Sequence, residues 1–185
     1  MILPIVAYGS DVLRKECVEI DNSFSNLDQL IDNMFETMNS ASGVGLAAPQ
    51  INKSIRLFII DTTPFNDEEN PDHVICKKVF INPKIISKSG DSWSFSEGCL
   101  SIPEVREDVK RLSEITIEYF DKDFNKHTDT FDGLNARVIL HEYDHIEGIL
   151  FIDKISPLRK RMIKGKLKNI SNGVINANYL IRSFK

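Results

Sequence analysis

Apolar residues recur at intervals of three and four over residues 27–38: Leu27, Leu30, Ile31, Met34, Phe35 and Met38. That spacing gives a helix one apolar face, and Ser25 stands where an N-cap would. Residues 55–61 (IRLFIID) are short, β-rich and mostly apolar, which predicts a buried strand. Residues 79–86 predict a strand interrupted at Pro83, and so an edge or bent one. Across 113–120 the period changes to two, with Ile115, Ile117 and Tyr119 alternating with Thr116, Glu118 and Phe120. Residues 126–131 alternate more weakly, and the intervening DKDFN is turn-like. Together they predict an antiparallel hairpin with a bulge or longer loop.

The remaining segments are read from their punctuation. GVGLAAPQ at 43–50 is rich in glycine and alanine and ends at a proline, which predicts a loop. Residues 62–73 hold two prolines and four acids and predict a surface loop. A helix is expected from Asp132–Gly133 to about Glu147, with Gly148 as its stop. Another should begin at Ser156–Pro157, a cap followed by proline, with Leu158, Met162, Ile163 and Leu167 as its apolar face. Strands and helices without βαβ alternation predict an α+β fold.

Composition narrows the class. The chain has 185 residues, 42% hydrophobic and 27% charged, enough for one domain with a full core. We expect residues 1–185 to form that single domain, with 155–185 as a basic C-terminal helix and extension. No apolar run reaches the 18 or so residues of a membrane helix. The opening MILPIVAYGS does not read as a signal peptide. Cys17, Cys76 and Cys99 are few and far apart, so reduced thiols in a cytoplasm are expected rather than a disulfide scaffold. The net charge of −4 conceals an asymmetry: no acid follows Asp153, but nine basic residues do, while the first 153 residues hold 14 basic and 27 acidic ones. A cationic tail on an acidic body suits an anionic partner such as nucleic acid, or contact with the body itself.

The strongest chemical signal is His141-Glu142-Tyr143-Asp144-His145 within a predicted helix. His141 and His145 fall about 40° apart on one face, where two imidazoles can grip one metal ion. Glu142 stands beside them, where it can take a proton from water. A third ligand is needed. The metzincin spacing would place it at residue 151, which is Phe151, and no glutamate follows Glu147 to serve a thermolysin-like site. The third ligand must therefore come from upstream: Cys76, Cys99, His73, His127 or a carboxylate. Cys99 is preferred, because it follows Gly98 in Ser96-Glu97-Gly98-Cys99-Leu100-Ser101, where the backbone can approach an ion. A thiolate with two imidazoles suits Zn²⁺ or Fe²⁺. The other two cysteines are expected to be structural, and His73 and His127 to lie on the surface.

Three segments, in order, resemble the peptide deformylases: Gly43-Val44-Gly45-Leu46-Ala47-Ala48-Pro49-Gln50, Glu97-Gly98-Cys99-Leu100-Ser101 and the His141–His145 motif. The likeness runs from the opening residues to about Phe151 and more loosely to Leu167. It departs at Leu140, where many members carry glutamine, and at 169–185, which runs past the usual C-terminal helix as an expected added strand. The resemblance implies hydrolytic removal of the formyl group from the N-terminal formyl-methionine of new polypeptides, releasing formate. It implies antiparallel sheets packed around a central metal-binding helix, with a further C-terminal helix. It implies Cys99, His141 and His145 as ligands to one divalent ion, commonly Fe²⁺ in cells, with Zn²⁺ and Ni²⁺ forms seen; the ligand chemistry also admits Co²⁺. It implies Glu142 as general base and acid, with the Gln50 amide and the Leu100 N–H as oxyanion donors.

Val44 and Gly45 are candidate substrate-binding residues, since a peptide could add to this segment as a strand. Gln50 could instead stabilise its loop. Asp144 lies off the ligand face, which suits the helix surface or a contact behind the ligands. Arg106 fits either substrate or a salt bridge, and Trp93 fits packing. Family members act on chains leaving the ribosome, so Lys160, Arg161, Lys164 and Lys168 are candidates to meet RNA phosphates. The rival readings are a metalloendopeptidase and a catalytically silent metal-binding or ribosome-associated protein.

Overall fold

The computed structural model describes residues 1–68 and 70–183. Glu69, within the predicted surface loop, and Phe184 and Lys185, at the end of the basic tail, lie outside the described residues.

Five antiparallel strands form the main sheet in the order β2 (Gly45–Ala47), β3 (Leu57–Asp61), β4 (Lys77–Cys99), β5 (Ile102–Phe120), β6 (Lys126–Asp132). β3 (Leu57–Asp61) is buried throughout, because helices cover both faces of the sheet here. Its alternation decides which residues meet which helix. Phe58 and Ile60 pack with Ala136, Ile139 and Leu140 of α2 (Gly133–Ile146). Leu57 and Ile59 pack with Leu30, Ile31, Met34 and Met38 of α1 (Leu27–Ser40). A third apolar cluster joins Ile102, Val105 and Val109 to Phe151 and to Ile163 and Ile170 of α3 (Pro157–Ser171). The fold is α+β, with the motif helix at its centre and a further helix toward the C-terminus.

β4 (Lys77–Cys99) and β5 (Ile102–Phe120) form one long hairpin that delivers Cys99 to its tip. Residues 79–86 are the start of β4, which lies between β3 and β5, so its expected place at an edge is corrected. The expected bend is present: the register shifts between Ile81 and Lys84, and Asn82 has a φ of 47°. Asn82 turns its amide to the Ile20 backbone, accepting at 3.0 Å and donating at 2.6 Å. β6 (Lys126–Asp132) completes the predicted hairpin through a turn at 121–125.

Other expectations change in detail. Asn26, in the left-handed region, precedes α1 in place of Ser25. The GVGLAAPQ segment is more regular than a loop. Gly45–Ala47 form the edge strand β2, and Ala48–Ile51 a 3₁₀ turn. α2 begins after Asp132 and stops as expected at Gly148. There φ is +70°, and a Cβ would strike the Arg14 carbonyl. α3 is capped by Ser156, whose hydroxyl accepts from the Arg159 N–H at 3.3 Å. Leu158 and Met162 are 67% and 64% exposed, however, and the docked face is Ile163, Leu167 and Ile170. Past α3 the chain forms β7 (Ile181–Arg182), which runs parallel to β1 (Ile5–Val6).

Candidate metal centre and active site

The centre of the molecule holds a three-sided meeting of elements. α2 brings His141 and His145 to one face, and the β4–β5 tip brings Cys99 against them. Their ligand atoms all lie within 4.8 Å of one another. Cys99 Sγ is 3.3 Å from His145 Nε2. Among the described residues no other group of His, Cys, Asp or Glu side chains converges in this way. His73 instead contacts the Thr62 hydroxyl at 3.0 Å, and His127 stacks on Tyr119. Cys17 and Cys76 are buried in the apolar cluster beneath α2, and burial pushes the Cys17 thiol up to about 11.

One thiol and two imidazoles converging without mutual saturation fit a divalent ion. The orientation of His141 agrees. Its Nδ1 lies 3.0 Å from Glu97 Oε2, and an ionised carboxylate only accepts, so Nδ1 carries a proton and Nε2 is the nitrogen that faces the cluster. The buried Nδ1 of His145 has no hydrogen-bond partner among the described residues.

Glu97 anchors a buried ionic belt behind the ligands. Arg111 holds it with two bonds, Nε to Oε1 at 2.7 Å and Nη2 to Oε2 at 2.9 Å. The same guanidinium donates to Asp144 Oδ2 at 2.6 Å. Arg137 donates to Glu97 Oε1 at 3.0 Å and to the Val109 and Trp93 carbonyls at 2.9 Å. Burial works against ionising Glu97, but Arg111 and His141 outweigh it and hold the carboxyl well below its ordinary range. Asp144 is thus buried rather than on the helix surface. Trp93 packs, with the Arg137 guanidinium 4.3 Å from its ring centre.

Glu142 points the other way, toward β2. It is 4% exposed, and its Oε2 has no partner among the described residues. Burial raises its pKa to about 7, with the His141 charge opposing. A carboxylate poised there can both take and return a proton near neutral pH. A Cβ built on Gly45 would overlap the Glu142 carboxylate, so this position excludes side chains. The Asp61 N–H donates to the Val44 carbonyl at 2.9 Å. By the alternation of an antiparallel pair, Gly45 therefore turns its N–H and C=O away from β3. Val44 adds a half-buried side chain to the cleft wall.

Gln50 is fixed at both ends of its amide. Its Oε1 accepts from the Ala47 N–H at 2.8 Å, and its Nε2 lies 3.3 Å from Ser101 Oγ and 3.5 Å from Cys99 Sγ. The Ala47 bond stabilises the segment and also aims the NH₂ at the ligand cluster. Leu100 is in the turn that follows Cys99. These groups open on a cleft of about 750 Å³. Arg106 also lines it, donating to the Ser96 carbonyl at 2.7 Å.

Sequence reasoning assigned no role to Glu97, Arg111, Arg137 or Tyr179. Glu97 stood inside a quoted motif. Arg111 carried no local signal, because residues 102–112 had not been recognised as strand.

The polypeptide deformylase family model matches residues 2–161. The peptide deformylase of Christiangramia forsetii is 58% identical, over 98% of this chain and 96% of that one. That of Flavobacterium psychrophilum is 55% identical, over 98% and 97%. Among solved structures, a Plasmodium falciparum peptide deformylase aligns with a TM-score of 0.81 at 35% identity, covering 91% of this chain and 95% of its own. An Arabidopsis thaliana peptide deformylase 1B variant gives 0.83 at 31% identity, covering 93% and 91%. With ligand cluster, cleft and chain-long similarity in agreement, the chain belongs to the polypeptide deformylase family.

Proposed function

We propose that Cys99, His141 and His145 hold one divalent ion, and that Glu142, Gln50 and Leu100 act around it in deformylation. The activity is that of a peptide deformylase: hydrolysis of the N-terminal formyl group of formyl-methionyl polypeptides, with release of formate. When bound, the ion supplies Lewis-acid activation of water and of the formyl carbonyl. Fe²⁺ is the proposed ion in cells, with Zn²⁺, Ni²⁺ and Co²⁺ admitted by the same ligands.

The chain's own groups do the rest. The Gly45 N–H and C=O pair with the substrate backbone as an added strand, while Val44 shapes the adjoining wall. This pairing lays the formyl group beside Glu142. Glu142 takes a proton from the attacking water and later delivers it to the leaving amine. Oxygen charge in the tetrahedral stage meets the Gln50 NH₂ and the Leu100 N–H. The observation that carries this reading is the buried Glu142 carboxylate lying between the ligand cluster and an outward-facing glycine edge.

The test is formate release from a short formyl-methionyl peptide by anaerobically purified, Fe²⁺-loaded protein beside a Glu142→Ala control. Rapid release that vanishes in the control is expected. No release by folded, metal-loaded protein would reject the assignment.

Residues 1–185 are proposed as one unit, with 155–185 its basic helix and extension. Arg159 pairs with Glu107 at 2.6 Å, Ile163 and Ile170 enter a core cluster, and β7 pairs with β1. No helix among the described residues is long and apolar enough to cross a membrane, and action in the cytoplasm is proposed. Lys160, Arg161, Lys164 and Lys168 are exposed on α3 and are proposed to meet ribosomal RNA phosphates. Charge reversal at all four should reduce ribosome co-sedimentation at low salt, and unchanged co-sedimentation would reject that contact.

A further inference from the structure

Beyond α3 the chain turns back to the cleft, and residues 176–179 line it. The segment is tied to the rest of the fold at three places. β7 lies beside β1, with the Ile5 N–H donating to the Leu180 carbonyl at 2.9 Å and the Ala7 N–H to the Arg182 carbonyl at 2.8 Å. The Asn176 amide donates to Glu104 Oε1 at 2.7 Å. The Tyr179 phenol donates to the Leu100 carbonyl at 2.7 Å.

The last contact falls on the turn between β4 and β5, where Cys99 pairs with Ile102 and only Leu100 and Ser101 lie between. So short a turn offers few internal bonds to set its peptide planes. The structure supplies them from outside. The Tyr8 N–H, next along the chain from β1, donates to the Ser101 carbonyl at 2.8 Å. Gln50 Nε2 reaches the Ser101 hydroxyl at 3.3 Å. Tyr179 takes the Leu100 carbonyl. The side-by-side pairing of β1 and β7 therefore places two clamps on the two carbonyls of one turn.

We propose that Tyr179 is a positioning residue for deformylation, which by holding the Leu100 carbonyl keeps the Leu100 N–H aimed at the oxygen that becomes negative. The proposal rests on the assignment of Leu100 as an oxyanion donor. Such a donor is effective only when aimed beforehand, so that nothing reorganises as charge develops. Leu100 N–H and C=O lie in successive peptide planes that meet at one Cα, so holding the carbonyl plane limits how far the N–H plane can turn against it. The phenol is suited to permanent donation: burial, aided by Cys99, pushes its pKa far up. The C-terminal extension thereby gains a role in the reaction as well as in the fold.

Tyr179→Phe keeps the ring and removes the bond. With Fe²⁺-loaded full-length protein and a formyl-methionyl peptide, kcat should fall about 3- to 10-fold, the worth of one hydrogen bond, with KM within about twofold. Exchange of the Leu100 amide hydrogen, followed by NMR on the Zn²⁺-loaded form, should accelerate by a similar factor. Unchanged kcat and exchange would overturn the proposal. So would a rise in KM with kcat intact, which would make the segment a substrate wall only. If the variant does not fold, the unmodified protein still decides. With ¹³C at the Leu100 carbonyl, its infrared band should lie at the low frequency of a strongly bonded amide, and a free-carbonyl frequency would overturn the proposal. Absence of formate release by the unmodified enzyme would be a failure of the deformylase assignment, and is visible before any variant is made.

Discussion

The two sides of Glu142 are built on opposite principles. Behind the ligand helix, Glu97, Arg111, Arg137 and Asp144 bury their charges against one another. In front, β2 offers a glycine edge with backbone groups facing outward. The ionic belt fixes one histidine's tautomer and direction, so its partners are all internal. The glycine edge has no strand beyond it among the described residues, so its groups stay open. Over-determination and incompleteness are thus assigned to different walls of one cleft.

The most damaging change removes the residue between the walls. Glu142→Gln should lower kcat by about 10²–10⁴, the usual share of general acid–base catalysis, with bound metal unchanged by elemental analysis. Next is the belt. Arg111→Met removes the cation shared by two buried carboxylates, leaving Arg137 to Glu97 and the partly exposed Lys154 to Asp144, and should cost about 3–5 kcal/mol of stability, read from the urea midpoint. Metal affinity should fall about 10- to 100-fold, because Glu97 loses its hold on His141.

The pH response of Glu142 sharpens the contrast, since burial harms one carboxylate and neighbours rescue the other. Glu142 keeps its proton to about pH 7 when folded, against an ordinary value of 4.5. The unfolded chain releases that proton first, so the metal-free protein should lose stability as pH rises from about 4.5 to 7. Glu142→Gln should therefore stabilise the metal-free protein at pH 8 by up to about 3 kcal/mol, while lowering activity as above. Equal denaturant midpoints for the two proteins at pH 8 would contradict this.

The glycine edge gives the smaller effects. Gly45→Ala forces a methyl group onto the Glu142 carboxylate and should cost about 1–3 kcal/mol of stability, with a fall in kcat/KM as that carboxylate is displaced. Gly43→Ala meets the flexible end of Leu100 at 2.9 Å, which can shift, so its loss should be smaller. Similar losses at both positions would erase the distinction between them.

How far the sequence was legible depends on how local each signal was. The His141–His145 spacing is set within one helix, so period alone announced it. β3 was legible because both its faces are apolar. β2 was not, because glycine and alanine are poor strand formers and tertiary pairing overrode them. Much of β4 was hidden because residues 86–96 are exposed or half-buried and mostly polar, and beyond them Glu97 and Arg111 occupy buried positions that should read as apolar. They balance each other across the sheet, and no single segment carries that information. The apolar face of α3 was legible at Ile163 and Leu167 but not at its edge, because Leu158 and Met162 look like core until the docking beside Ile170 is known. Tyr179 met the same limit: its partner lies 79 positions away in the chain.

Gly45 has a consequence for the range of chains that can be processed. An edge without a side chain reads only amides, and amides are common to every polypeptide. Under the proposed strand pairing, discrimination would fall on the side chains lining the cleft around the ligand cluster and not on the Gly45 edge. An edge read this way would accept many different chains.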